Sequence, residues 1–383
     1  MSQLTDVTRP ETAVPGNDVR AAHARPQQRI LMVSASVGAG HDGAARELTA
    51  RLEAHGFEVT RHDFLDLLPA GLGRFFRTGY AWQLRVVPDS WGCLLAALQR
   101  HAVLSWLVAK LVGLVAARRV WAVVGGDVNA VVSTYPLASQ ALGRLRRTGR
   151  ITVPVVTFLT DMSVHRLWVA EGVDAHLALH ELPAEEAARL GARGVRVSGP
   201  AVSPTFHPST TGRRAARARF GLPAHAPLAL VVAGSWGIGD IESTVDDLAR
   251  CGLVTPVVAC GRNVALRERL TRTGAAIALG WTDDMPMLMR SCDVVVQNAG
   301  GLSSLEALAS GVPVVTYRCL PGHGLTNARA LDEAGWAAWI RTPQELSAGL
   351  KSALTGEFPA PAPIRGDPAA TIADMVPLVR TVA

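Results

Sequence analysis

The residues best equipped for chemistry in this 383-residue chain lie at two glycine-rich turns. The first, Val37-Gly38-Ala39-Gly40-His41, follows the apolar run Arg29-Ile-Leu-Met-Val-Ser34. Through Gly43 it satisfies Gly-x-Gly-x-x-Gly, and Asp63 stands 20 residues beyond Gly43, which is the pattern of a dinucleotide site. His41 argues against that reading, because a pyrophosphate needs bare amides where the imidazole stands. A helix N-terminus depresses a histidine's pKa and keeps the ring neutral near pH 7. A neutral imidazole at the mouth of a cleft suits a general base. Substrate positioning and a purely structural hydrogen bond are the alternatives for His41.

The second turn is Asn298-Ala-Gly300-Gly301-Leu-Ser303-Ser304-Leu-Glu306. Glycines there let the backbone close on a ligand, and the free amides of Leu302 to Ser304 suit a phosphate. Glu306, one helical turn in, can accept both hydroxyls of a ribose. Ser303-x-x-Glu306 also reads as a capping box. A cap alone explains neither the Gly-Gly before it nor the Gly311-Val-Pro that opens the next strand.

Both turns need strands before them and helices after them, and the chain supplies this plan twice. Strands are expected at Arg29–Ser34, Phe57–His62, Ala130–Thr134, Val153–Leu159 and His176–Leu179, with a helix at Asp42–His55. A second series is expected at Leu228–Ala233, Thr255–Cys260, Ala276–Leu279, Asp293–Gln297 and Pro313–Tyr317. Alternating β and α elements give parallel sheets covered on both faces. The expected fold is therefore α/β, with two Rossmann-like domains facing a central cleft. The predicted boundaries are a disordered leader at 1–28, an N-terminal acceptor domain at 29–200 and a linker at 201–227. A C-terminal donor domain at 228–356 and a connector with a final helix at 357–383 complete the chain. Ligands in such sheets bind beyond the carboxyl ends of the strands.

Composition narrows the class. The chain is 49% hydrophobic, enough to bury large cores. Its net charge of +6 is matched by residues 71–125, where Arg74, Arg77, Arg85, Arg100, Lys110, Arg118 and Arg119 oppose Asp89 alone. The same stretch holds Trp82, Trp91, Trp106 and Trp121, a composition that suits an anionic bilayer interface. The apolar run from Ala102 to Ala117 is broken by Lys110 and falls short of a membrane span. Five cysteines without C-x-x-C spacing indicate reduced thiols in the cytoplasm. The polar leader lacks the apolar stretch of a signal peptide. No nucleic-acid motif accompanies the basic patch.

The second turn resembles the donor site of GT-B glycosyltransferases, and the group nearest in motif order holds monogalactosyldiacylglycerol synthase and the peptidoglycan lipid N-acetylglucosaminyltransferase. The resemblance spans about Arg29 to Trp336. It is carried by Gly38-Ala-Gly-His41, Val131-Val-Ser-Thr-Tyr135-Pro136 with Gln140, and Thr157-Phe-Leu-Thr-Asp161 with His165. Ser198-Gly-Pro, Gly234-Ser235-Trp-Gly, Cys260-Gly261-Arg262-Asn263 and Leu279-Gly-Trp281-Thr282-Asp-Asp-Met285 follow. Asn298–Glu306 and Gly322-His323-Gly-Leu-Thr-Asn327 complete the set.

That resemblance implies an inverting transfer of a hexose from a UDP-sugar to a lipid hydroxyl at the cytoplasmic membrane face. It implies His41 as base, with Asp161 or His165 as rival or orienting partner, and Gly38, Gly40, Tyr135, Pro136 and Gln140 on the acceptor side. It places Gly234 and Ser235 on the diphosphate, Gly261, Arg262 and Asn263 near phosphate or sugar, and Trp281, Thr282 and Met285 around uracil. Ribose falls to Glu306, and the sugar to His323 and Asn327. His323 stands where the family has glutamine, and Arg166 where it has proline. With no Asp-x-Asp motif, the sequence requires neither a catalytic metal nor another cofactor. A soluble natural-product acceptor and UDP-sugar 2-epimerisation are the alternative readings; the sugar, the acceptor and the oligomeric state are left open.

Overall fold

Arg29–Ser34 has no polar alternation, so it suits a strand covered on both faces, and it forms β1 with Ile30 to Val33 at 1% exposure or less. The computed structural model describes residues 27–37, 40–69, 71–86, 88–209, 212–232, 234, 237–357 and 366–376. The leader up to residue 26, Gly38, Ser235 and most of the 357–383 connector lie outside them.

Around β1 a six-stranded parallel sheet assembles from β2 (Glu58–Asp63), β3 (Ala130–Ser133), β4 (Val155–Phe158), β5 (Ala175–Ala178) and β6 (Val195–Val197), in the order β2-β1-β3-β4-β5-β6. Helix α1 (Gly40–Ala54) follows β1 directly. After β2 come α2 (Leu72–Val86), α3 (Pro88–Arg100) and α4 (Ala102–Val124). Helices α5 (Pro136–Arg147) and α6 (Glu181–Arg189) follow β3 and β5. Helix α7 (Arg213–Arg219) then leads into the second sheet.

That sheet contains β7 (Leu228–Val232), β8 (Thr255–Ala259), β9 (Ile277–Leu279), β10 (Val294–Gln297), β11 (Val314–Tyr317) and β12 (Ala338–Ile340), all parallel, in the order β12-β11-β10-β7-β8-β9. Between its strands run α8 (Ile241–Cys251), α9 (Val264–Thr273), α10 (Met285–Ser291), α11 (Leu302–Ala309) and α12 (His323–Glu333). The chain closes with α13 (Pro343–Thr355) and α14 (Pro368–Ala373). The two-domain α/β expectation holds.

Several details differ from the sequence reading. Helix α1 starts two residues early, at Gly40, which puts His41 in its first turn. The edge strands β6 and β12 have three residues each, too short to show a pattern. The stretch expected as a linker contains α7. Its Arg217 is buried at 4% exposure, pairs with Asp293 at 2.8 Å and donates to Ser291 O at 2.9 Å, so this arginine run anchors the second sheet. The last helix returns to the first domain, where Asp367 meets His55 at 3.3 Å and Arg51 at 3.8 Å. Ala369 and Ile372 of this helix are buried in the core that α1 shares, and these polar contacts lie at its rim.

Candidate active site

One cavity of about 1140 Å³ lies where the carboxyl edges of the two sheets face each other. From the first domain it is lined by Gly40 and His41 after β1, Tyr135 and Pro136 after β3, and Thr160, Asp161 and His165 after β4. His41 Nδ1 lies 2.8 Å from Thr160 Oγ1, and the Thr134 hydroxyl donates to the His41 carbonyl at 3.1 Å. The ring packs against Tyr135 at 5.3 Å and Trp168 at 5.8 Å.

Burial lowers the His41 pKa, and the Asp161 carboxylate partly restores it. Burial also takes His165 down to about 4, against the pull of Asp161. His323, reaching in from the second domain, is lowered by burial too, with Asp161 again opposing. Three neutral imidazoles therefore surround one carboxylate, the arrangement in which a single proton can be taken up and its charge stabilised. With Nδ1 engaged by Thr160, the base tautomer is the one in which Nδ1–H donates to that hydroxyl and leaves a lone pair on Nε2.

The second domain contributes Val232, Gly234, Ile238, Gln297, Asn298, Gly301, Ser303, Glu306 and His323. Gly301 is the N-cap of α11 and no side chain caps the helix, so Ser303 and Glu306 do not form a capping box. Gly300 has φ 69°, and a Cβ there would lie 2.6 Å from Asn327 Cβ, so the turn admits only glycine. Burial pushes the Glu306 carboxyl up to about 8, with Arg46 of the opposite domain pulling it back. Two asparagines hold the backbone at Gly237 and Ile238. Asn298 Nδ2 donates to Ile238 O at 3.0 Å, and Asn263 Nδ2 to Gly237 O at 3.2 Å.

Known proteins resemble this chain in part of its sequence and in its fold. Residues 41–200 match the monogalactosyldiacylglycerol (MGDG) synthase family model. The processive diacylglycerol beta-glucosyltransferase of Bacillus subtilis is 28% identical over 237 residues, covering 60% of this chain and 61% of that protein. The Bacillus pumilus protein of the same name is 26% identical with the same coverage. The chain thus spans about three fifths of the length of the curated relatives it matches. In fold it resembles Acinetobacter baumannii MurG, with a TM-score of 0.55 and 16% identity, covering 92% of this chain and 99% of that one. Anabaena Alr3699/HepE, solved with UDP-glucose, has a TM-score of 0.52 and 17% identity, covering 91% and 95%. The chain has the GT-B fold of these structures.

Within this GT-B frame, several expected site residues stand elsewhere. Gln140 does not line the cavity; its amide donates to Leu167 O at 2.8 Å and Val169 O at 3.1 Å, bracing the segment that carries Trp168. Gly261, Arg262, Asn263, Trp281, Thr282 and Met285 also lie outside the lining, farther along the same sheet edge, after β8 and β9. Arg262 stacks on the half-exposed Trp281 at 4.4 Å, Asn263 caps α9, Thr282 Oγ1 accepts from Asp284 N at 3.1 Å, and Met285 packs on the core. The Ser304 amide donates to Gly301 O at 3.0 Å, so it is not free for phosphate as expected. Asn327 is fully buried and joins the domains, its Oδ1 accepting from Ser163 N at 3.0 Å and Ser163 Oγ at 2.9 Å. Asp63, the acid of the dinucleotide pattern, is spent on Ser36 N at 3.2 Å and Arg77 at 3.0 Å.

Four contributors went unseen in the sequence: Thr160, Arg46, Gln297 and Arg318. Arg318 has φ 46°, the one positive value outside glycine among the described residues, and pairs with Asp240 at 2.6 Å and Asp247 at 2.7 Å. It ties the loop leading to His323 to the cap of α8. A positive φ there was the structural signal; in sequence it is one arginine among many.

Proposed function

We propose that the protein transfers a hexose from a UDP-sugar to the hydroxyl of a diacylglycerol-like lipid, with inversion, at the cytoplasmic face of the membrane. The carrying observation is the composition of the cavity between the two sheet edges. It joins half-buried His41 to Glu306 and the α11 turn, and its third wall is apolar, with Phe75 and Phe76 from α2 and Leu94, Leu95 and Leu98 from α3. An acceptor with one hydroxyl and a greasy body fits such a wall; a polyhydroxylated soluble one leaves its other groups without partners.

In the reaction, the acceptor oxygen attacks the anomeric carbon as its proton passes to His41 Nε2. The bond from that carbon to the phosphate oxygen breaks, and UDP leaves with the electron pair. A single displacement inverts the centre. Asp161 stabilises the imidazolium that forms, and His165 serves better as a neutral orienting group than as the base. The α11 N-terminus favours the departing charge. No metal is assigned a role.

Helix α4 supplies the membrane contact. Val103, Trp106, Leu107, Leu111, Leu114 and Trp121 are each at least half exposed. Lys110 Nζ lies 4.6 Å from the Trp106 ring centre. Among the described residues no helix is long and apolar enough to cross a membrane. Arg77 and Arg119 are not part of this face, since they bind Asp63 and the Leu68 carbonyl. The side chains of Trp82, Arg85 and Trp91 lie outside the described residues.

The test is incubation with a panel of UDP-sugars and diacylglycerol in anionic liposomes, with products read by mass, with and without EDTA. A hexosyl-diacylglycerol formed equally in EDTA is expected. Transfer only to soluble acceptors, or UDP-sugar isomerised without an acceptor, overturns the reading.

A further inference from the structure

Gln297 ends β10 at the centre of the second sheet, in register with Val232 and Thr316. It is 5% exposed and lines the cavity. Its two amide atoms are treated very differently. Oε1 accepts from the backbone N–H of Ala299, at 2.8 Å, and from that of Gly300, and so fixes the turn that opens α11. Nε2 is buried with no hydrogen-bond partner among the described residues.

The turn needs an acceptor and nothing more. A carboxylate or hydroxyl oxygen would brace it without leaving a stranded NH2 group, and buried donors without partners are rare because they forgo their hydration for nothing. With Oε1 held by two amides, the rotation that would exchange the nitrogen for the oxygen is blocked. The stranded donor therefore stands at the carboxyl end of the sheet, beside the electropositive N-terminus of α11.

We propose that Gln297 Nε2 donates a hydrogen bond to an oxygen of the bound nucleotide's diphosphate. The inference rests on reading this cavity as a UDP-sugar site. Gln297 contacts the donor, and its oxygen shapes the loop that presents the α11 amides to the same phosphate. The two tasks of one side chain are separable by substitution, because Gln297→Glu keeps the acceptor and replaces the donor with negative charge.

The experiment compares UDP, uridine and pyrophosphate binding to the wild-type protein and to Gln297→Glu by calorimetry, alongside the thermal midpoint of each unliganded protein. The expected result is a folded variant with a wild-type midpoint, UDP affinity reduced by about 100-fold and uridine affinity changed by less than about threefold. Unchanged UDP affinity overturns the proposal, as does an equal fall for UDP and uridine, which would mark a role confined to the turn. Pyrophosphate competing as well as UDP in the wild type points to a free-anion site and also overturns it. A wild type that binds none of the three sinks the donor-site reading itself. Should Gln297→Glu fail to fold, the wild-type protein decides: the Gln297 side-chain amide NMR resonance must shift with UDP and not with uridine, and no shift overturns the assignment.

Discussion

The two sheet edges that face each other across the cavity are built on opposite plans. The second domain's edge is interlocked: Asn298 and Asn263 hold the Ile238 and Gly237 carbonyls, and Arg318 binds Asp240 and Asp247 at the cap and in the body of α8. The first domain's edge concentrates its polarity at His41, Thr160, Asp161 and His165 and turns an apolar wall of α2 and α3 to the same space. An interlocked edge suits a ligand with many oxygens, each position contributing a little. A concentrated edge suits a ligand with one reacting oxygen, where one residue carries most of the effect.

This contrast is open to breakage. The largest effect is expected from His41→Ala, which should lower the transfer rate by about 10³-fold or more while UDP affinity stays within about twofold. Single-turnover kinetics and calorimetry check it, and a comparable loss of UDP affinity would erase the division of labour. Glu306→Gln should cost UDP about tenfold in affinity at pH 9, where the wild-type carboxylate is ionised. Its pH dependence is sharper evidence. The carboxyl is pushed up to about 8, so the wild type loses this proton, and gains an acceptor for the ribose hydroxyls, as pH rises through 8. UDP affinity should climb from pH 7 to pH 9 in the wild type and stay flat in the variant. The same shift means that this group favours the folded state most below about 4.5 and that its contribution fades as pH rises through 8. The smallest effect is expected from Arg318→Ala. It should raise KM for the UDP-sugar about three- to fivefold and lower the thermal midpoint, with kcat nearly unchanged, because the strut positions a loop and touches no reacting atom.

The sequence reading succeeded where chemistry is local. The glycine turns, the buried-strand runs and the order of motifs located both domains and placed His41, Asp161, His165, Asn298, Glu306 and His323 around one cleft. It did not foresee the distant partners that some of these side chains take up. Asn327 looked like a sugar contact until Ser163, 164 positions away in sequence, took its carbonyl oxygen. Gln140 looked like an acceptor contact until the Leu167 and Val169 carbonyls claimed its amide. The stretch 213–219 was expected within a linker, yet it forms a helix whose Arg217 is buried against Asp293.

Taken alone, the sequence determined two parallel α/β sheets and the turns where ligands meet them, because strand periodicity and glycine turns act over a few residues. Only the tertiary structure decided which polar groups are spent on the protein and which remain for a ligand. That depends on burial and on partners from remote strands: three histidines are neutral because the cavity buries them, Glu306 is raised for the same reason, and one amide nitrogen of Gln297 is stranded because its oxygen is held.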